Sequence, residues 1–450
     1  MPPSLLGYSP AARMSRISLW SVFGGYPVTS IQRFSKFEHH RRRRSASALS
    51  LLEVLISRDT AQSRSLHRLL PIEGHHNVKG STPVTMTAFN WEYVAAHPFR
   101  FSFIMLEFGL HSISLSIRRL LTFWRTKPTN FVTAWKSLLL RIFMHRDYRY
   151  VYTASKAEIK AARRVDAPGV EAYVVSQYPT RSLASFDAVI LYCHGGGYVI
   201  GEPLQCYSSF VRWTKKASQK GLNLAVFSIR YRKVICVTLE VEPELKFPTA
   251  LTGDKPFPAQ RDTALGAYDY LIKQEDVSPK NIIISGDSAG GHLAASIIYY
   301  MKDHPEIPRP AGTILISPWM DPSMRNTITS PFTYVDFVYG DGTSRAAQLQ
   351  AKQLAGNRPI TSPEISMALA KDLKGLPPHM CIYGDVEVLE EHSRAWIENC
   401  KLNGIDVEVY AGKGAIHTFP MGGLTADRFH ERESDDRLIS YIKRQVLGGT

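Results

Sequence analysis

From residue 170 onward, short apolar runs alternate with longer stretches in which apolar residues recur at helical spacing. The short runs fall near 170–178, 187–193, 222–230, 281–285, 312–317, 379–384 and 406–411 and predict strands. Helices are predicted near 204–219, 260–274, 289–303, 390–403 and 434–447. In the helix at 390–403, Ala395, Trp396, Ile397 and Leu402 stand among Glu and Arg, and Gly404 suits its C-terminal cap. Strands alternating with helices predict an α/β fold, a mostly parallel sheet flanked by helices. Residues 322–375 break the alternation with few strand signals and with Phe332, Tyr334, Phe337, Val338 and Tyr339.

The first third reads differently. Residues 99–123 are strongly apolar, but Glu107 and His111 interrupt them and Arg100, Arg118 and Arg119 flank them. A spanning helix needs about 20 predominantly apolar residues with few charges. Three readings stand for this stretch: a membrane anchor, an interfacial helix in membrane contact, and a helical cap. The net charge of +14 is concentrated upstream, where residues 1–85 carry twelve Arg or Lys against Glu38, Glu53, Asp59 and Glu73. That segment reads as a transit-like leader, a disordered basic tail, or untranslated sequence ahead of a start at Met86. The Arg41–Arg44 run lacks aromatic interleaving and a binding fold, so no nucleic-acid partner is expected. The expected location is intracellular, with membrane association at the endoplasmic reticulum and organelle targeting left open. The five cysteines, Cys193, Cys206, Cys236, Cys381 and Cys400, are scattered without a Cys-x-x-Cys pair, so reduced thiols and no metal or cofactor are expected.

Residues 286–291 read Gly-Asp-Ser-Ala-Gly-Gly, between the β-branched run Ile282–Ile284 and a helix-like stretch. Strand, Gly-x-Ser-x-Gly, helix is the context of a nucleophile elbow, and it makes Ser288 the candidate nucleophile. Gly286 and Gly290 let strand and helix approach closely. Residues 194–197 read His-Gly-Gly-Gly after a second strand, a motif of the oxyanion loops of lipases and esterases. The expected oxyanion donors are the N–H groups of Gly195, Gly196 and Ala289, with His194 and Gly197 supporting the loop. A base must follow in the chain. His417, on a loop after the strand near 406–411, fits better than His379, His392 or His430. Asp385 and Glu387 both lie just past the strand at 379–384, and either could orient the imidazole.

His194–Tyr198, Gly286–Gly291 and the His417 loop together resemble the hormone-sensitive-lipase-like family of α/β hydrolases. Ser317-Pro318-Trp319-Met320-Asp321 and Leu376-Pro377-Pro378 resemble further landmarks. The resemblance covers roughly residues 150–447. It implies an α/β-hydrolase fold with a helical cap. The acid then falls in a triplet matched here by Glu387-Val388-Leu389, which favours Glu387 over Asp385. It divides the chain into a basic leader (1–85), membrane-associated or cap helices (86–150), a hydrolase core (151–321 and 373–450) and a cap insertion (322–372). One departure follows Tyr231-Arg232, where residues 233–255 replace a shorter family segment, as an inserted loop or a translated intron.

The implied reaction is hydrolysis of small to medium apolar carboxylic esters through an acyl-enzyme, with Ser288 as nucleophile, His417 as base and Glu387 as orienting acid. The rivals are a lactonase, an amidase, a lipid or steryl-acetate deacetylase, and a ligand-binding relative without catalysis. The oligomeric state is not encoded in these motifs.

Overall fold

Charge explains the one strand that the apolar pattern does not announce. In the computed structural model β1 (Arg163–Ala167) pairs antiparallel with β2 (Val170–Ser176) at the edge of an eight-stranded sheet. Its Arg163, Arg164 and Asp166 suit an exposed edge, where charge blunts pairing with other chains, so no apolar alternation marks it. The structure describes residues 89–122, 131–231, 233, 255–325, 327, 330–333, 335–338, 345–425 and 428–448. The readings made for residues 1–85, for Met86, for Tyr334 and Tyr339, and for most of 233–255 lie outside them.

The remaining strands are β3 (Ala188–Cys193), β4 (Leu224–Ile229), β5 (Ile282–Asp287), β6 (Gly312–Ile316), β7 (His379–Gly384) and β8 (Val407–Gly412). They lie in the order β1-β2-β4-β3-β5-β6-β7-β8. β2 and β4 are antiparallel, and every pair from β4 to β8 is parallel. β3 to β7 are buried along their whole length, as expected of parallel strands covered on both faces.

Among the described residues eight longer helices accompany the sheet: α1 (Pro98–Thr122), α2 (Phe131–Arg146), α3 (Tyr207–Gln219), α4 (Ala259–Lys273), α5 (Ala289–Lys302), α6 (Arg345–Ala355), α7 (Glu390–Leu402) and α8 (Arg428–Leu447). One core includes apolar residues of α4, α5 and α7, among them Leu271, Leu293 and Trp396. The other takes Phe210 and Trp213 from α3 and Leu438 and Ile442 from α8.

The N-terminal helices build a third cluster, in which Phe101, Ile104 and Phe108 of α1 meet Leu139, Ile142 and Phe143 of α2. From α2, Leu140 joins a fourth cluster with Phe337 of the 322–372 segment and with Val386 and Ile416 of the loops after β7 and β8. Arg141 Nη2 donates to the carbonyls of Thr333 (2.7 Å) and Asp336. Phe332, Phe337 and Val338 therefore pack against α2 and the loops beneath. No helix among the described residues is long and apolar enough to cross a membrane. α1 nevertheless carries an exposed apolar stripe, Phe99, Phe103, Leu106, Leu110, Ile113 and Ile117, opposite its packed face.

Candidate active site

The run from β5 into α5 turns at Ser288, whose backbone (φ 55°, ψ −121°) lies in the left-handed half of conformational space. A non-glycine residue there is strained, and such strain persists only where its surroundings enforce it. Ser288 N–H donates to Ile316 O (2.9 Å), and Ser288 O accepts from Trp319 N–H (3.0 Å). The end of β6 thus clamps the turn. A Cβ on Gly290 would strike the carbonyl oxygens of Cys193 and His194, and one on Gly286 would strike Cys193 O and Gly290 O. The glycines of the elbow are needed because the elbow lies directly on the end of β3 and the loop after it.

That loop is His194–Gly197. His194 is buried, its Nδ1 lies 2.8 Å from Gly195 O, and its ring stacks on Tyr231 with centroids 4.4 Å apart. Tyr231 O–H donates to His194 O (2.5 Å). Burial pushes the His194 imidazole down to about 3, with nearby Lys233 and Arg230 acting in the same direction, so the ring is neutral. Gly195 N–H donates to Asp287 Oδ1 (2.8 Å), which also accepts from Tyr192 O–H (2.7 Å). The Gly195 donor is thereby committed to a side chain, which counts against the expectation that it serves an oxyanion. Gly196 and Gly197 adopt φ of +112° and +62°, and among the described residues their N–H groups make no intrachain hydrogen bond.

β7 and β8 end side by side, with Gly384 paired to Gly412, and their loops carry the other two candidates. Glu387 is fully buried; its Oε2 accepts from Ser317 O–H (2.6 Å) and Gly384 N–H (3.1 Å), and it lies 3.9 Å from His417 Nδ1. That last separation makes an ion pair rather than a hydrogen bond, and catalytic hydrogen bonds are often long without substrate. Asp385 turns elsewhere, and its Oδ1 accepts from Gly414 N–H (2.6 Å) in the loop before the histidine. Burial opposes a charged His417, but the Glu387, Asp336 and Asp287 carboxylates outweigh it and hold the imidazole above its ordinary value.

Two contributors escape sequence reasoning. Ser317, at φ 44°, donates to Glu387 and accepts from Thr418 N–H (2.9 Å), joining the Glu387 loop to the residue after His417. Asp336 reaches in from the 322–372 segment to the backbone N–H groups of Val388 (2.8 Å) and His417 (3.2 Å). Ser317 belongs to a run noticed only as a landmark, and nothing local marks Asp336. Tyr198, just past the glycines, lies 2.6 Å from Nδ1 of buried His292, whose Nε2 lies 2.6 Å from Ile365 O. A carbonyl can only accept, so Nε2 carries the proton and Nδ1 accepts from Tyr198. Among the described residues no group of three or more His, Cys, Asp or Glu could hold a metal ion.

A family model described as the α/β-hydrolase fold matches residues 190–421, from within β3 to just past His417, more than half of the chain. The chain belongs to the α/β-hydrolase family that this model describes. An acetyl-hydrolase of Streptomyces hygroscopicus is 30% identical to this α/β hydrolase over 209 residues, 46% of this chain and 59% of that enzyme. An esterase of Acinetobacter venetianus is 27% identical over 247 residues, 54% of this chain and 70% of its own. Steryl acetyl hydrolase 1 of Saccharomyces cerevisiae is 28% identical over 159 residues, 32% of that protein. Among solved structures, a hormone-sensitive lipase from a metagenome library superposes with a TM-score of 0.52 at 22% identity, covering 77% of this chain and 98% of that one. At that identity the likeness establishes the fold.

Proposed function

We propose that this α/β hydrolase cleaves carboxylic esters through an acyl-enzyme on Ser288. The carrying observation is the strained Ser288 turn, clamped by the same β6 end whose Ser317 ties Glu387 to the His417 loop. In this reading His417 takes the Ser288 proton as the hydroxyl attacks the carbonyl carbon, then passes it to the leaving alcohol. Water repeats the sequence on the acyl-enzyme, releasing the acid and restoring Ser288. Glu387 orients the imidazole and stabilises its charged form, and Asp385 shapes the loop before it. The oxyanion falls to the N–H groups of Gly196, Gly197 and Ala289, because Gly195 is engaged by Asp287. His194 braces the loop as a neutral, stacked ring. The esterase and acetyl-hydrolase relatives support the reaction class.

Replacing Ser288 with Ala is expected to abolish hydrolysis of p-nitrophenyl acetate and labelling by a fluorophosphonate. Labelling of the pure, folded variant would refute the assignment.

A narrower reading, acetyl esters of lipid-like alcohols, draws on the apolar stripe of α1 and on a relative named steryl acetyl hydrolase. Residues 108–136 hold Arg118, Arg119, Arg125, Lys127 and Lys136 and no acidic residue. Exposed apolar side chains beside a basic segment match an anionic lipid surface, with α1 lying on it rather than through it. A panel of esters that varies acyl length and alcohol bulk tests the substrate, with and without anionic vesicles.

A further inference from the structure

We propose that Asp336 is a positioning residue for this reaction: from the cap insertion it holds the Glu387 and His417 loops in register and keeps a negative charge beside the imidazole. The inference rests on the roles given above to Ser288, Glu387 and His417.

The argument begins with donors. Asp336 is fully buried. Its Oδ1 accepts from the N–H of Phe337 (2.8 Å) and of His417 (3.2 Å), and its Oδ2 from that of Val388 (2.8 Å). Val388 directly follows the acid, and His417 is the base. One side chain from a third segment therefore fixes the backbone at both. An ionised carboxylate has acceptors only, so it is the one common side-chain form that satisfies all three donors at once.

The surroundings are otherwise apolar. Leu140, Val386, Ile416 and Phe337 pack together here, and the Phe337 ring lies 5.6 Å from the His417 ring. The titratable or charged groups facing Asp336 are His417 and Glu387 on the core loops and Tyr152 after α2. Arg141 of α2 binds the carbonyl of the same residue. Burial, with the Glu387 charge acting the same way, raises the Asp336 carboxyl to about 6, against the pull of the His417 ring and of the Val388 and His417 N–H groups. Conversely its charge helps hold His417 above the ordinary value. As the pH falls, a proton added to Asp336 removes both an acceptor and that charge.

The cap insertion is thus part of the triad's support rather than only a roof over substrate. The contacts are to backbone N–H groups, so the identity of residues 388 and 417 does not reveal them.

The test replaces Asp336 with Asn, which keeps the shape, removes the charge and turns one acceptor into a donor facing an N–H. With p-nitrophenyl acetate the expected result is a fall in kcat of about tenfold or more, from the hydrogen bond lost at one of the two loops, with little change in KM. The acidic limb of kcat/KM is expected to move to lower pH, since removing a negative charge makes the imidazole easier to deprotonate. A purely structural contact lowers kcat and leaves the limb in place, which would overturn the proposal, as would a folded variant with unchanged kcat.

If the variant is recovered unfolded, hydrogen exchange on the wild-type enzyme decides. The amides of Val388 and His417 are expected to be protected at pH 7 and to lose excess protection as the pH falls through the Asp336 titration. Unprotected amides, or protection that ignores pH, would overturn it. Ser288→Ala, assayed in parallel, separates this outcome from failure of the esterase reading itself. If that variant stays active, the reaction assignment falls first.

Discussion

Asp385 and Glu387 stand two positions apart in one loop yet have different partners. Asp385 holds Gly414 N–H, and Glu387 is buried opposite His417. Replacing Glu387 with Gln is expected to cost at least about 10²-fold in kcat, toward the roughly 10⁴-fold loss seen when a triad acid loses its charge. The acidic limb of its kcat/KM profile should also drop. The sign follows from the imidazole, which Glu387 holds above its ordinary value, so wild-type activity should fall off on acidification above pH 6.5, the unperturbed histidine value. Asp385→Asn should keep activity within about tenfold, because it weakens a loop hydrogen bond and leaves the ion pair in place. Steady-state rates from pH 5 to 9 check all three, and an inactive Asp385→Asn beside an active Glu387→Gln would exchange the two roles. Both carboxylates could be picked from the sequence, but their ranking there came from resemblance to a family triplet. What separates them physically is the direction each side chain takes after β7, and spacing does not encode that.

At the scale of elements, the elbow and the glycine loop are halves of one packing unit. Gly290→Ala places a Cβ against the carbonyls of Cys193 and His194, neither of which can retreat without moving β3 or its loop. A destabilisation of about 1–3 kcal/mol or more is expected, read from urea unfolding, together with loss of fluorophosphonate labelling. Exchanging the exposed Gly266, whose Cβ would meet nothing within 4 Å, should be harmless by both measures. α1 makes a second case. In sequence the apolar stretch fits an anchor, an interfacial helix or a helical cap, and none of these readings says that Phe101, Ile104 and Phe108 face the protein while Phe103, Leu106 and Leu110 face outward. Replacing Leu106 and Leu110 with Glu should prevent co-flotation with phosphatidylserine vesicles and leave hydrolysis of soluble p-nitrophenyl acetate intact. Retained flotation would discard the lipid-surface reading. A change in molecular mass instead would mean that a second copy covers the stripe.

Across the whole molecule, the parallel sheet gathers at its carboxyl ends what the chain spreads over more than 200 residues, as open α/β sheets do. His194 follows β3, Ser288 follows β5, Ser317 follows β6, Glu387 follows β7 and His417 follows β8. The presence of strands β3 to β7 was readable because buried parallel strands are apolar throughout, although their order in the sheet was not. β1 was not, since an edge strand is selected for charge. By itself, then, the sequence determined the fold class, the elbow serine, the glycine loop and the late histidine, each carried by a few contiguous residues whose backbone or chemistry admits little else. The tertiary structure alone decided that Gly195 is taken by Asp287, that Ser317 links the Glu387 and His417 loops, and that Asp336 reaches both from the 322–372 segment. These are hydrogen bonds between segments distant in the chain, several of them to backbone groups that every residue possesses, so no residue type at either end announces the pairing.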